Sequence, residues 1–545
     1  MRRIITHKIA GFIFRHRRFW RFISRFPAIR DWINGEVINT IVDSTPPRPY
    51  PLSLWSPETT PSSYETQPPR APAQVTDYVS WTSLVDRTYT GRHLPPYEPR
   101  NSLPELDKLG DLFKRKKSAT GEEVMIPSSH TSVLFCFFAQ WFTDSFLRTS
   151  SADSRRNTSN HEIDLCQIYG LDAATAATLR SGNRGELAMR QTPRGELLSF
   201  LYQPDQSWGP APLAPAFVNL PYANTLDTTL QSIAPFALLP DRRNLSYATG
   251  LERGNSTIVY TSISTIFARE HNRLCRLLAA KYPGWDDDRL FAIARNLNIV
   301  MLLRIIIEEY INHLSGAKFK VFVERGFAER QRWYRTNRIC LEFDLLYRWH
   351  SLVPGAFEFQ GQRLNNQGFR FNNALVENCG PEAVLYAASE QRAGRIGLFN
   401  TPSFLQPVEL LSVKFSRMFK LAPFNAYRAH FGMTPYESFE DLAGDPHTIE
   451  MLKQLYTSVD DVELVVGLLA EDRYAGAPLG DMMRTMVGVD AFSQALTNPL
   501  LSNNVYGDAA FSQEGLAIVE ATGAFEDIVR RNAAAGAPVK ARFHI

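Results

Sequence analysis

The chain has 545 residues, 44% of them hydrophobic, so it can bury a large core; this length fits one large helical enzyme domain with an appendage, or two to three average domains. Lys and Arg exceed Asp and Glu by only three (59 against 56), so the net charge gives no reason to expect a nucleic-acid partner. The five cysteines match no zinc or CxxC spacing and their odd number leaves one unpaired, which favours free, mostly buried thiols in a reducing compartment.

The basic charge is concentrated at the start of the chain. Residues 1–30 hold nine Lys or Arg and no Asp or Glu, so the rest of the chain has a net charge of 3 − 9 = −6. Over residues 1–44 these cations alternate with large apolar residues, from Phe12 to Ile33, at near-helical spacing. The pattern predicts short amphipathic helices that dock on the cytoplasmic side of a membrane surface. Packing on the main domain and an organelle transit peptide are the alternatives.

Residues 45–74 form the second region, which is broken by proline. Nine prolines interrupt it, so we expect an extended surface connector without regular helix or sheet: Pro46, Pro47, Pro49, Pro51, Pro57, Pro61, Pro68, Pro69 and Pro72. No apolar run approaches the roughly 20 residues that a membrane-spanning helix needs.

Residues 75–545 read as one globular, mainly α domain. Helical periodicity dominates over residues 131–149, 261–281, 288–315, 338–350, 446–457 and 512–532, whereas stretches of alternating β character are few and short. We see no internal repeat in this region.

The most informative segment is 336–354, TNRICLEFDLLYRWHSLVP. On a helix, Tyr347 and His350 are three residues apart and lie on nearly the same face. A neutral imidazole at this place could ligate haem iron and leave the phenol close to the haem edge. A histidine beside Trp349 is otherwise more often a hydrogen-bonded core residue.

The string EFDLLYRWHSL at 342–352 closely resembles the proximal helix of cyclooxygenases, a branch of the animal-type haem peroxidase superfamily. The resemblance runs in order from about residue 78 to 505. It includes 132–149 (SVLFCFFAQWFTDSFLRT), similar to the distal helix, and 161–170, 264–278, 308–316 and 423–436. It implies a mainly α, haem-peroxidase-like catalytic domain that binds haem b.

The resemblance also implies roles for individual residues. His350 would be the proximal iron ligand, and Tyr347 the residue that becomes a radical and abstracts hydrogen from a fatty acid. Tyr427 would support the proximal histidine. Ser493 resembles the serine that lines the substrate channel, although Val489 and Asp490 replace a Gly-Ala pair before it.

The chain departs from the family pattern in the distal helix. Gln140 is retained, but Asp144 stands where the family has the histidine that moves the proton of bound peroxide. A solvated carboxylate is a poorer shuttle at neutral pH, unless burial raises its pKa. Asp144 could instead only hydrogen-bond a neighbouring group. Arg253 lies about where other peroxidases place a distal arginine.

The residues that anchor a fatty-acid carboxylate in cyclooxygenases are absent. The arginine's position falls near Val42 and Asp43 and the tyrosine's falls on Ala317; Arg48 and Lys318 are the nearest substitutes.

The resemblance therefore predicts a haem-dependent dioxygenase that uses O2 and a tyrosyl radical on an unsaturated fatty acid or related lipid, with weakened peroxidase activity. The alternatives are a peroxidase that oxidises small reductants, and a non-catalytic haem- or lipid-binding protein. The resemblance leaves a homodimer open.

Overall fold

The computed structural model describes residues 25–42, 53–54, 86–203, 209–316, 319–331, 333–334, 337–473 and 477–545. The predicted mainly α class is confirmed. The α-helices of seven or more residues are Pro27–Val42, Leu106–Phe113, Val133–Thr143, Ala173–Leu179, Leu226–Ile233, Ile258–Lys281, Asp287–Ile305, Asn373–Cys379, Pro381–Glu390, Gln406–Met418, Phe424–His430, Pro446–Leu455, Leu464–Ala470, Asp481–Leu496, Gln513–Glu520 and Phe525–Asn532.

The shorter elements connect these helices. The short α-helices are Cys166–Tyr169, Pro240–Arg243, Asn312–Ser315, Leu341–Leu346, Asn366–Phe369, Phe439–Leu442 and Asp508–Phe511. The 3-10 helices are Pro215–Phe217, Pro235–Leu238, Ala328–Arg330, His350–Leu352, Ser403–Leu405, Val459–Asp461 and Pro499–Leu501, and Ile306–Ile311 is a π-helix.

Four small antiparallel pairs make up the described sheet structure. They are Ser53–Leu54 with Gly91–Arg92, Pro127–Ser132 with Arg392–Gly394, Met189–Thr192 with Gly195–Leu198, and Ala356–Phe359 with Gln362–Asn365. The first pair corrects the prediction that no sheet forms in the proline-rich connector. The residues between Pro51 and Pro57 keep their backbone N–H groups and can therefore pair.

The helix Ile258–Lys281 is the centre of the fold. The Thr257 side chain caps its start by accepting a hydrogen bond from the Tyr260 N–H, and every residue from 258 to 272 is buried. The helix ends at Lys281, since the following Tyr282 precedes Pro283 and cannot readily stay helical. It packs against Val133–Thr143, Asp287–Ile305, Pro381–Glu390 and Phe525–Asn532.

A continuous helical stretch, Asp287–Ser315, is long and apolar enough to cross a membrane by length and composition, contrary to the sequence-based expectation. Of its most apolar window, 78% is buried inside the protein, which is typical of a core helix. Its π-helical part, Ile306–Ile311, carries Glu309 and Tyr310, and such bulges are frequent at functional sites.

The N-terminal helix Pro27–Val42 covers the end of the 1–44 segment, whereas residues 1–24, with most of its arginines, lie outside the described part. Its second half packs on the domain: the Asn34 amide exchanges hydrogen bonds of 3.2 Å with the Phe322 backbone, and the Trp333 indole donates to Asn39 at 2.9 Å. The other end leaves Phe26, Ile29 and Trp32 exposed, at 49%, 43% and 59%.

Three predicted helices have different bounds in the structure. The 131–149 helix is shortened to Val133–Thr143, with Ser132 as its N-cap, and the 512–532 helix divides into Gln513–Glu520 and Phe525–Asn532. The predicted 338–350 helix stops at Leu346. The N–H of Ser132 and that of Val133 bond to distant backbone carbonyls, so tertiary contacts fix the first of these bounds.

Candidate functional site

Tyr347 and His350 lie at the end of the segment that the sequence singled out. The helix Leu341–Leu346 ends before Tyr347, and His350 begins the 3-10 helix His350–Leu352, so the two side chains do not share one α-helical face. Pro354 prevents the helix from continuing, because it holds Val353 in an extended conformation. Contacts with distant residues, rather than helical spacing, fix both side chains.

The His350 imidazole is held by a carboxylate. Its Nδ1 lies 2.8 Å from Oε2 of Glu409, whose side chain is only 1% exposed and also accepts from the Thr401 hydroxyl at 3.2 Å. An ionised carboxylate can only accept, so Nδ1–H donates; in the neutral imidazole that a metal binds, Nε2 then carries the free lone pair. Glu409 was missed by sequence reasoning, since nothing in its helical neighbourhood distinguishes it from a surface glutamate.

The Tyr347 phenol is enclosed by aromatic rings. Phe343 packs edge-on at 5.1 Å and Trp349 lies 4.6 Å away between ring centroids. The hydroxyl is buried and makes no hydrogen bond of normal geometry with the described residues. Burial raises the pKa of Tyr347; the Tyr310 hydroxyl is close enough to oppose this rise, and the charge of Asp490 adds to it.

Tyr310 connects Tyr347 to the distal helix Val133–Thr143. Phe135, Phe138 and Phe142 contact the Tyr310 ring at centroid distances of 4.8, 6.1 and 5.5 Å. Phe135 also stacks on Trp349 at 6.5 Å. The sequence resemblance covers the segment that carries Tyr310 but does not single out this residue. A tyrosine among apolar core positions of a helix looks like an ordinary packing residue, so the sequence gives no signal of a special role.

Gln140 and Asp144 stand one turn apart at the end of the distal helix. The Gln140 amide donates to the Ser256 hydroxyl at 3.4 Å, and Asp144 accepts from Arg253 at 3.3 Å through Oδ1. The other oxygen, Oδ2, is buried without a hydrogen-bond partner among the described residues. Burial raises the pKa of Asp144, while Arg253 and Arg148 oppose this rise. The structure thus brings together Asp144, which replaces the family's histidine, and Arg253, the candidate distal arginine.

Two predicted site residues make other contacts. The Tyr427 hydroxyl is buried and donates to Glu342 at 2.9 Å, so its hydrogen bond goes to Glu342 and not to His350. The Ser493 hydroxyl is buried and bonds to the carbonyls of Val489 and Asp490 in its own helix, at 2.9 and 3.1 Å. The suggested carboxylate anchors, Arg48 and Lys318, lie outside the described residues.

Three further histidines, His161, His271 and His313, are already engaged by hydrogen bonds. His271 bonds the Tyr169 hydroxyl through Nδ1 and the Gly185 carbonyl through Nε2, both at 2.9 Å. His161 accepts from the Ile339 N–H and donates to the Arg87 carbonyl. His313 contacts the Thr131 hydroxyl at 3.1 Å. Burial lowers the pKa of His161 and His271 to about 4 and that of His313 to about 3, so all three are neutral core residues.

The residues around His350 fit a haem. A neutral imidazole whose Nδ1–H is held by a carboxylate presents Nε2 to a metal, which is the usual arrangement of metal-bound histidine. Gln140 and the unpartnered oxygen of Asp144 offer polar groups for the distal side. His350 would hold the iron, and Glu409 would hold His350.

Comparison with known proteins shows the family to which the chain belongs. The family model of the animal haem peroxidases matches residues 140–542. The chain is 32% identical to prostaglandin G/H synthase 1 of Mus musculus over 448 residues (80% of this chain, 69% of the relative). It is 31% identical to prostaglandin G/H synthase 2 of Equus caballus over 480 residues (85% and 74%).

Solved structures show the same fold at lower identity. The fatty acid alpha-dioxygenase of Oryza sativa superposes with a TM-score of 0.66 at 15% identity, covering 97% of this chain and 95% of that one. Peroxidase A of Dictyostelium discoideum gives 0.63 at 19% identity, covering 84% and 95%. The chain belongs to the animal haem peroxidase family and is a haem-binding oxidoreductase.

Proposed function

We propose that this protein is a haem-dependent dioxygenase that adds O2 to an unsaturated fatty acid or related lipid through a radical on Tyr347. The observation that carries the proposal is the buried phenol of Tyr347, three residues before the proposed iron ligand, within an aromatic shell. Similarity to prostaglandin G/H synthases and to a fatty acid alpha-dioxygenase, which has also been solved with palmitic acid, supports the substrate class.

The surroundings of Tyr347 favour loss of a hydrogen atom over simple ionisation. Because burial raises its pKa, the phenol keeps its proton at neutral pH. Its electron and proton must therefore leave together. Haem, when bound, supplies the oxidising power for this step. Phe343, Trp349 and Tyr310 then exclude water from the phenoxyl oxygen and present an apolar surface suited to an alkyl chain.

On the distal side we propose that Asp144 replaces the usual histidine as a weaker proton shuttle. Its raised pKa lets it carry a proton nearer to neutral pH than an ordinary aspartate. Arg253 limits that rise by stabilising the carboxylate at 3.3 Å. Gln140 would orient a bound peroxide through its amide, and Ser493 would lie in the channel wall.

We further propose that the protein docks on the cytoplasmic face of a membrane. Phe26 stands just before the helix Pro27–Val42, and Ile29 and Trp32 lie near its start; all three are exposed, close in sequence to Arg25 and Arg30. Exposed large apolar side chains beside arginine are typical of segments that lie in a membrane interface. A lipid substrate partitions into the bilayer, so docking gives direct access to it. A homodimer stays a prediction.

Oxygen uptake by the haem-loaded protein with an unsaturated fatty acid tests the proposal. We expect uptake that starts only after a trace of lipid hydroperoxide and is absent in Tyr347→Phe. Turnover of small reductants without oxygen uptake would instead identify a peroxidase. If the haem-loaded protein shows neither oxygen uptake nor turnover of reductants, it is a non-catalytic haem- or lipid-binding protein.

A further inference from the structure

Three buried side chains with metal-ligating atoms converge at a place that the haem site does not use. His93 follows the strand Gly91–Arg92, Cys340 precedes the helix Leu341–Leu346, and Asp490 lies within the helix Asp481–Leu496. They are 1%, 2% and 5% exposed. One nitrogen, the sulfur and one carboxylate oxygen lie within 4.8 Å of one another.

The distances between these atoms are close to those that a tetrahedral zinc ion imposes. His93 Nε2 lies 2.9 Å and Cys340 Sγ 3.7 Å from Oδ2 of Asp490. Standard zinc bond lengths and a tetrahedral angle give about 3.3 Å between nitrogen and oxygen and about 3.5 Å between sulfur and oxygen. The His93 nitrogen and the Cys340 sulfur lie within 4.8 Å of each other, so they would move closer together when a metal replaces the proton between His93 and Asp490.

The charges of the three groups also match a divalent cation. A thiolate and a carboxylate carry two negative charges, and a neutral imidazole adds none, so an ion of charge +2 leaves the buried cluster neutral. Imidazole and thiolate ligands select borderline ions such as Zn²⁺ over Mg²⁺ or Ca²⁺. Three protein ligands would leave one position for water or another ligand.

The backbone around His93 is held in place. The carboxylate of Glu342 accepts from the His93 N–H at 3.0 Å and from the Tyr427 hydroxyl at 2.9 Å. Glu342 is fully buried and stands two residues after Cys340. The same carboxylate therefore fixes His93 relative to the segment that carries Cys340, which gives the cluster a preformed geometry.

We propose that His93, Cys340 and Asp490 form a second metal site, separate from the haem, that binds one Zn²⁺ ion. The site lies close enough to the reaction centre for the Asp490 charge to act on the Tyr347 phenol. Cancelling that charge would change how readily Tyr347 is oxidised. This last consequence rests on the proposed role of Tyr347, whereas zinc binding does not.

Metal analysis of the haem-loaded, full-length protein tests the site. After dialysis against a chelator, titration with Zn²⁺ should restore one tightly held zinc per chain. Co²⁺, used as a spectroscopic probe in place of zinc, should give a near-ultraviolet thiolate-to-metal absorption band. Cys340→Ser and Asp490→Asn should each lower the zinc affinity at least about a hundredfold. Loss of a residue that only hydrogen-bonds a metal ligand typically costs about 10- to 100-fold, and loss of the ligand itself should cost at least the upper value.

Cys275→Ser is the matched control. Cys275 is also buried and lies 3.4 Å from a histidine, His271, but both nitrogens of that ring are engaged. The variant should bind zinc like the wild type. Absence of zinc binding and of the cobalt band in the wild type would overturn the proposal, as would equal binding by all variants. If Cys340→Ser fails to load haem, the zinc affinity of the nearly isosteric variant Asp490→Asn provides the test.

Discussion

The imidazole of His350 donates from Nδ1 to the buried carboxylate of Glu409 over 2.8 Å. This contact fixes the orientation of the ring, as carboxylate partners do for metal-binding histidines. Glu409 therefore orients His350, the proposed ligand of the haem iron.

Glu409→Gln should weaken haem retention about 10- to 100-fold and raise the midpoint potential of the iron, since a less basic imidazole stabilises the ferric state less. His350→Ala should abolish or greatly weaken haem binding. Haem titration and spectroelectrochemistry measure both effects. His271→Ala is the control for lost packing; equal haem loss in that variant, or unchanged haem in His350→Ala, would contradict the assignment.

Tyr347→Phe keeps the aromatic packing but removes the oxidisable O–H. We expect normal haem content and lipid oxygenation at background level. Tyr310→Phe removes the neighbouring hydroxyl, and its effect should stay within about tenfold, the scale of one neutral hydrogen bond. Oxygen-electrode rates and Soret spectra distinguish the two. If Tyr347→Phe oxygenates lipid at nearly the wild-type rate, the radical forms on another residue.

Asp144→His should speed the reaction with hydrogen peroxide at least about tenfold. Positioned acid–base catalysis is typically worth about 10²–10⁴-fold, and we take a lower value because the raised pKa of Asp144 already restores part of the shuttle. Stopped-flow mixing, followed in the Soret region, measures the rate. A fast wild type that the histidine does not improve would show that Asp144, or Arg253, is a competent distal group.

Replacing Phe26, Ile29 and Trp32 together by Asn should lower binding to anionic vesicles at least about tenfold. Each large apolar side chain contributes about 1.5–3 kcal/mol when it is buried. Vesicle sedimentation at low and high salt provides the measurement. Ile233→Asn, at a residue 62% exposed elsewhere on the surface, is the control and should bind normally. If the triple variant binds vesicles as well as the wild type, these three side chains do not dock the protein on a membrane.

Glu309 gives the protein a pH-dependent stability. Burial raises its pKa to about 7, from 4.5, so its proton stabilises the fold fully below pH 4.5, and this contribution is lost as the pH rises through about 7. Glu309→Gln should therefore gain stability relative to the wild type, on the order of 3 kcal/mol at pH 8 and less than about 1 kcal/mol at pH 5. Denaturant unfolding at both pH values checks this; an equal effect at both would show that the carboxyl titrates normally.

The sequence by itself was enough to predict the helical class, and its motifs named Tyr347, His350 and Asp144 as candidate site residues, whose roles stay predictions. Helical periodicity depends on neighbours in the chain, so the pattern at 261–281 predicts the central helix within three residues of its observed start. The Tyr347 and His350 pair was found because its motif is contiguous. Its helical spacing was wrong, however, since the helix ends at Leu346 and His350 begins a separate 3-10 helix.

Only the tertiary structure decided which groups meet. Glu409 is 59 residues from His350, Arg253 is 109 from Asp144, and Asp490 is 397 from His93. Each pair depends on how whole helices dock, and docking is set by the summed burial of many apolar side chains rather than by any local pattern. That is why the carboxylate beside His350 and the His–Cys–Asp cluster leave no trace in the spacing of their residues.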